Sequence, residues 1–269
     1  MNVTPLYPPA AGTLPLEGLY LRKRLPASLL YSNFVTSLDG RIAVARPGRV
    51  SHEVPKEIAN PRDWRLYQEL AAQSDVLITS ARFFRQTQIN EAQDVLPLGP
   101  EYTDLRQWRT EQGLTEQPDL AIVSGSLELP LEALVRVARI RRVWVLTGTP
   151  APPARKTALC DAGIEVIEAG HGARVEGGPL RRALETLGAK RMYAVAGPQL
   201  LHALLADRVL DRLYLTLAGR LLGGTEFDTL CLGPALEPVP KLHLTNLYFD
   251  PEAPADAGQL LATYDLDYA

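Results

Sequence analysis

The sequence predicts an α/β protein: a three-layer α/β/α arrangement around a mixed, mostly parallel sheet that ends in an antiparallel hairpin. Three observations carry this. From residue 29 onward, short apolar runs alternate with segments of helical period. Residues 189–224 read as strand, tight turn, helix and strand, the repeating unit of a parallel sheet. After Gly224 the rhythm changes to two long alternating segments joined by a Pro/Asp/Ala/Gly loop, the pattern of a hairpin.

Taken in order, residues 1–27 are proline-rich and end near the basic run Arg22-Lys23-Arg24, which suggests an extended arm over the domain or a partner subunit. Residues 29–37 (LLYSNFVTS) form the first strand, and Leu38-Asp39-Gly40 turns it before 41–44 continue. Residues 45–59 are irregular, broken by Pro47-Gly48 and Pro55. A helix then starts with Asn60 as N-cap, Pro61 at its first position and Asp63 in its first turn, burying Leu66, Tyr67, Leu70 and Ala71. Strand 76–79 follows, and Ser80 opens a turn or helix; residues 86–117 are too weakly patterned to assign. Strands are expected at 120–123, 142–147 and 164–167, with helices at 154–162 and 180–187, the latter capped by Gly188. The central unit supplies strand 192–196, a helix from Pro198 with Leu200, Leu201, Leu204 and Leu205 on one face, and strand 213–217. Segments 241–249 and 260–268 make the hairpin.

Composition narrows the function classes. The 269 residues are 46% hydrophobic and 22% charged, enough for a full core, and the net charge of −3 argues against a nucleic-acid surface. No apolar run reaches the length of a membrane span and no signal-peptide pattern opens the chain, so the cytoplasm is the expected compartment. Cys160 and Cys231 make neither a disulfide framework nor a zinc site, and no metal is expected. The chain also lacks a Walker-type loop, G-x-G-x-x-G and G-x-S-x-G.

In open α/β sheets ligands bind beyond the carboxyl ends of the strands. Four predicted turns there are small or hydroxyl-rich: Thr79-Ser80, Ser124-Gly125-Ser126, Thr147-Gly148-Thr149 and Ala196-Gly197-Pro198. Such turns let backbone approach phosphate, which favours a nucleotide cofactor. At the last of them the amides of Gln199 and Leu200 would offer a helix N-terminus to a pyrophosphate. A Gly-Pro turn also serves a chain that merely passes from strand to helix, and the residues alone leave both readings open.

Several motifs occur in order across residues 19–266: Asn33-Phe34-Val35-Thr36-Ser37-Leu38-Asp39-Gly40, Asn60-Pro61-Arg62-Asp63, Ile122-Val123-Ser124-Gly125-Ser126-Leu127, Val145-Leu146-Thr147, Gly197-Pro198, Leu210-Asp211-Arg212-Leu213 and Leu221-Leu222-Gly223-Gly224. In this combination the chain resembles the reductase domain of bacterial riboflavin biosynthesis, in particular its stand-alone pyrimidine reductase relatives with a dihydrofolate reductase-like fold. The resemblance implies an arm (1–27), a reductase-like domain (28–269) and a homodimer. It implies NADPH-dependent hydride transfer to C1 of a ring-opened ribosylamino-pyrimidine. Gly197, Pro198, Gln199 and Leu200 would hold the cofactor pyrophosphate, and Thr79, Ser80, Arg82, Ser124, Gly125 and Thr147 the rest of it. Asn33, Thr36 and Ser51 would contact substrate. Asp39, with Ser37, would orient the substrate or relay a proton.

The departures matter too. Val195-Ala196-Gly197-Pro198-Gln199 stands where the family commonly has Glu-Gly-Gly-Pro-Thr, and Thr79-Ser80-Ala81-Arg82 replaces Gly-x-Gly-Thr. Ser51-His52-Glu53-Val54 stands near the family's Ser-x-Trp-Ile, with His52 expected at the surface. The H-x-E and P-C-x-x-C signature of a zinc deaminase half does not occur, so the bifunctional enzyme is not expected. A true dihydrofolate reductase is disfavoured by chain length. A diverged, non-catalytic homologue that binds a nucleotide or a partner in the same cleft stays as the alternative.

Overall fold

The computed structural model describes residues 2–89 and 96–268. The chain runs β1 (Asn2–Tyr7), β2 (Leu14–Pro15), β3 (Leu29–Ser37), β4 (Arg41–Val44), α1 (Pro61–Ala72), β5 (Val76–Ser80), α2 (Ala81–Gln88), α3 (Thr103–Glu111), β6 (Asp119–Val123) and α4 (Leu131–Ala138). It continues through β7 (Val143–Thr147), α5 (Pro153–Asp161), β8 (Glu165–Glu168), α6 (Gly177–Thr186), β9 (Arg191–Ala194), α7 (Pro198–Ala206), β10 (Arg212–Ala218), β11 (Phe227–Thr229), β12 (Lys241–Asp250) and β13 (Gln259–Asp267).

Among the described residues, one sheet has the order β2-β1-β12-β13-β10-β3-β9-β5-β6-β7-β8. From β10 to β8 every pairing is parallel. The β12–β13 hairpin and β1 add antiparallel strands beyond β10. Strand alternation divides the core between two helical layers. Leu29, Tyr31, Leu77, Leu120, Ile122 and Val145 face the side covered by Leu70, Phe84, Leu105, Leu134 and Leu159 of α1 to α5. Leu30, Ile78, Ala121, Trp144 and Leu146 face Leu180, Leu184, Leu200, Leu201 and Leu204 of α6 and α7. The predicted fold class is the one observed.

Local chemistry sets the helix ends. The Asn60 side chain accepts from the amides of Arg62 and Asp63, and Pro61 occupies the first helical position of α1. Gly188 follows α6 with a φ of 90°, the left-handed conformation that glycine adopts at no steric cost. Elements unforeseen from the sequence are α3, α4, β11 and the strand in the N-terminal segment. That segment adds β1 to the main sheet beside β12, with Thr4 opposite Phe249. Helix α3 buries only Leu105 and Arg109, so its apolar stripe is too thin to read. Arg109 explains its place: its guanidinium donates to the carbonyls of Ala72 (2.8 Å), Ser74 (2.7 Å) and Thr115 (2.7 Å). It thereby satisfies carbonyls left open at the end of α1.

One sheet face stays partly open. Pairing places Leu215, Leu217, Leu244, Leu247, Phe249 and Leu260 on the same side of β10, β13 and β12. None of these six is buried. No helix among the described residues is long and apolar enough to cross a membrane.

Candidate active site

Strand β9 is short, and that makes the site. It has four residues, whereas its neighbour β3 has nine. The β3–β9 register ends at Ser32–Ala194, and the β5–β9 register at Ile78–Ala194. Beyond those pairs the sheet divides. A cavity of about 430 Å³ occupies the gap, between Asn33, Phe34 and Val35 on one side and Thr79 and Ser80 on the other, with Val195, Ala196, Gly197 and Pro198 across its base. The chain leaves β5 through α2 in one helical layer and leaves β9 through α7 in the other, so this is a topological switch point.

Three further segments close the cavity. Helix α1 contributes Asp63, Trp64 and Tyr67. The Trp64 and Tyr67 rings stack with centroids 4.8 Å apart and an interplanar angle of 19°. The loop after β4 contributes His52, Glu53, Val54 and Lys56, and β11 contributes Asp228. Asp228 Oδ1 lies 3.2 Å from His52 Nδ1, and Oδ2 lies 3.8 Å from Arg82 Nη1. Asp63 accepts a hydrogen bond of 2.6 Å from the buried Thr216 hydroxyl. Lys56 is exposed and has no ionic partner among the described residues.

Of the residues expected from sequence, Asn33, Thr79, Ser80, Arg82, Gly197 and Pro198 line the cavity together. Asn33 accepts a hydrogen bond from the Tyr193 hydroxyl, which fixes its amide. Gln199 and Leu200 lie in the first turn of α7, Gln199 exposed and Leu200 in the core. The remaining residues are placed elsewhere. Ser51 precedes His52 but does not line the cavity. The Thr36 hydroxyl, buried, bonds to the Ser37 carbonyl. Ser37 donates to Asp39 and accepts from the Arg41 amide.

Asp39 needs a correction. Its carboxylate ties down the chain after β10, accepting from the amides of Leu222 (3.2 Å) and Gly223 (2.8 Å) and pairing with Arg41 at 2.8 Å. The Ser37 hydroxyl first, then those amides, hold its pKa down at about 2. Neither Asp39 nor Ser37 lines the cavity, so the carboxylate serves this turn and not a ligand held there.

The β6 and β7 turns need another. A Cβ on Gly125 would meet the Ala173 carbonyl oxygen at 2.5 Å, and one on Gly148 would meet that of Gly172 at 1.9 Å. Ser124 is buried and its hydroxyl accepts from the Leu127 amide. Thr147 is fully buried, its carbonyl accepting from the Ala169 amide. The approach to Gly125 and Gly148 from the Cβ side is taken by the chain's own 170–174 loop; Gly125 and Ser126 are otherwise exposed, but on that side these turns do not offer open backbone to a dinucleotide.

The β5 and β9 turns do. At Gly197 a Cβ would meet nothing within 4 Å, so the backbone is open to a ligand. Ser80 caps α2 without a side-chain bond to it, and its hydroxyl has no partner among the described residues. Two helix N-termini thus flank one cavity beside Arg82 and Lys56, a setting that fits a pyrophosphate. The sequence reading missed Lys56, Asp63, Trp64 and Asp228 as site residues. Trp64 and Tyr67, one turn apart on a helix, were the available signal; nothing in sequence brings Asp228 to His52.

The sequence model described as the RibD C-terminal domain matches residues 29–252. Among solved structures, the chain is similar to a pyrimidine reductase-like protein from Corynebacterium diphtheriae (20% identity, TM-score 0.68, covering 95% of this chain and 100% of that one). It is similar to the deaminase/5-amino-6-(5-phosphoribosylamino)uracil reductase of Thermotoga maritima (15% identity, TM-score 0.57, 92% and 58% covered). It is also similar to the riboflavin biosynthesis reductase of Saccharomyces cerevisiae (12% identity, TM-score 0.52, 93% and 99% covered). A comparison with curated protein sequences gives no match. With the family model covering most of the chain and the fold shared throughout, this protein belongs to the RibD C-terminal domain family, the riboflavin-biosynthesis reductase family that its motifs resemble.

Proposed function

We propose that this oxidoreductase uses NADPH to reduce a ring-opened ribosylamino-pyrimidine or a closely related heterocyclic substrate. The cavity at the switch point, flanked by the first turns of α2 and α7, carries the reading. NADPH, when bound, supplies the hydride. Gly197, Pro198, the Gln199 amide and Ser80 would hold its pyrophosphate, with Arg82 beside it. The Trp64–Tyr67 pair and Phe34 offer flat apolar surface to a planar ring, and Asn33 offers a fixed amide to its polar edge. The family's glutamate is Val195 here, so substrate polarity must be met by Asp63, Glu53 or Asp228 instead. We further propose a homodimer built on the partly open face of β10, β13 and β12, where six apolar side chains share one side and none is buried, and a cytoplasmic location.

The test is calorimetric titration with NADPH and NADH, followed by turnover of 5-amino-6-(5-phosphoribosylamino)uracil monitored as loss of NADPH absorbance. Saturable binding that favours NADPH, with turnover, supports the proposal. NADPH binding without turnover of that substrate redirects the search to related heterocycles. The 170–174 loop packed against the β6 and β7 turns favours a second reading, a non-catalytic homologue, and absence of binding to either cofactor would support it.

A further inference from the structure

We propose that His52 donates the proton that completes the reduction, with Asp228 as its positioning residue; this rests on the reductase reading above. The fold brings the two together from opposite sides of β4. Strand β11 pairs with one edge of β4, setting Asp228 opposite Ala43. Glu53 pairs with the other edge, exchanging hydrogen bonds of 2.9 Å with Val44 in both directions. His52 and Asp228 therefore hang from one small sheet over the cavity, and both line it.

The pairing also selects a ring nitrogen. With Nδ1 donating to Asp228 Oδ1 at 3.2 Å, Nε2 is the nitrogen left for a ligand, and it has no partner among the described residues. The Asp228 carboxylate on Nδ1 fixes the orientation of the ring and turns Nε2 toward the cavity side. Arg82, on α2, holds the second oxygen of the same carboxylate at 3.8 Å. The other charged groups facing the cavity are Asp63 from α1 and Glu53 and Lys56 from the loop that carries His52. None is a better donor: Asp63 is engaged by Thr216, Glu53 by Arg49 at 3.5 Å, and Lys56 is exposed.

The chemistry balances. A substrate C=N (or C=O) group takes a hydride at carbon from NADPH, the reductant, which leaves as the oxidised dinucleotide. The π electron pair moves to nitrogen (or oxygen) and forms a bond to the proton released from His52 Nε2. The neutral imidazole is then reprotonated from solvent.

The experiment compares wild-type protein with His52→Gln, His52→Ala and Asp228→Asn, using NADPH calorimetry and kcat against pH with 5-amino-6-(5-phosphoribosylamino)uracil. The expected result is an unchanged NADPH Kd and a kcat about 100-fold lower for His52→Gln, with the fall in rate at rising pH abolished. Added imidazole should restore part of the rate to His52→Ala. Asp228→Asn should retain the pH-dependent limb that His52→Gln loses, with a kcat about tenfold lower. A His52→Gln variant that keeps the wild-type rate and pH profile overturns the proposal. Wild-type protein that binds no NADPH overturns the reductase reading itself, and the proposal falls with it.

Discussion

The carbonyl oxygen of Gly172 lies 1.9 Å from the point where a Cβ on Gly148 would sit. Two turns from different strands are in backbone contact there, and no flexible side chain can move aside to admit a methyl group. Gly148→Ala should therefore displace the 170–174 loop and destabilise the protein by roughly 1–3 kcal/mol, as overpacking does. Urea unfolding of the variant against wild type checks this; a midpoint within error of wild type would show that the loop yields freely.

Gly197 is the opposite case, with open space around its Cβ position. Its φ of −70° and ψ of −170° at the N-cap of α7 suit aspartate. Gly197→Asp should leave thermal stability unchanged or slightly raised, because aspartate is a good N-cap. The same carboxylate should repel a pyrophosphate and raise the NADPH Kd by about tenfold or more, about 1.4 kcal/mol. Thermal unfolding and calorimetry on one sample separate the two effects. An unaltered Kd would assign the turn a structural part only.

Asp39 is expected to act on stability through pH. Its pKa is about 2 in the folded protein against an ordinary value of 3.8, so its contribution is complete above the higher value and lost as pH falls toward the lower. Asp39→Asn should melt below wild type at pH 7, and the gap between them should close between about pH 4 and pH 2. Melting curves across that range test it. A gap that persists at pH 2 would mean the hydrogen-bond geometry, not the charge, holds the 222–223 turn.

Leu244 lies on the open face of the hairpin and is only partly buried. In the proposed dimer, Leu244→Glu would bury an unpaired charge and should shift sedimentation toward the monomer by tenfold or more in dissociation constant. Sedimentation equilibrium of a wild-type protein that is already monomeric would remove this face as the interface.

Most of the fold was legible because the parallel strands are nearly continuous apolar runs, as strands covered on both faces must be. Residues 76–79, 120–123 and 142–147 announce themselves this way. Helix α3 did not, because a buried arginine rather than an apolar stripe anchors it. The cavity lining was legible mainly at backbone turns, where Gly197-Pro198 and Thr79-Ser80 lie, and at Asn33 and Arg82 beside them. Sequence cannot show that the 170–174 loop packs on the β6 and β7 turns, since a glycine reads the same whether a ligand or another loop lies against it. Nor can it show His52 beside Asp228, which are 176 positions apart (228 − 52) and meet only because both flank β4.

The early end of β9 has one more consequence. Past Ser32 and Ile78, the ends of β3 and β5 face each other without the partner that joins them lower down. Strand alternation turns the main-chain groups of Asn33 and Val35 on β3 and of Ser80 on β5 toward that interval. A flat heterocycle with donors and acceptors along its rim can lie between them as a surrogate rung. Recognition of that kind would draw on main chain more than on the side chains around the cavity.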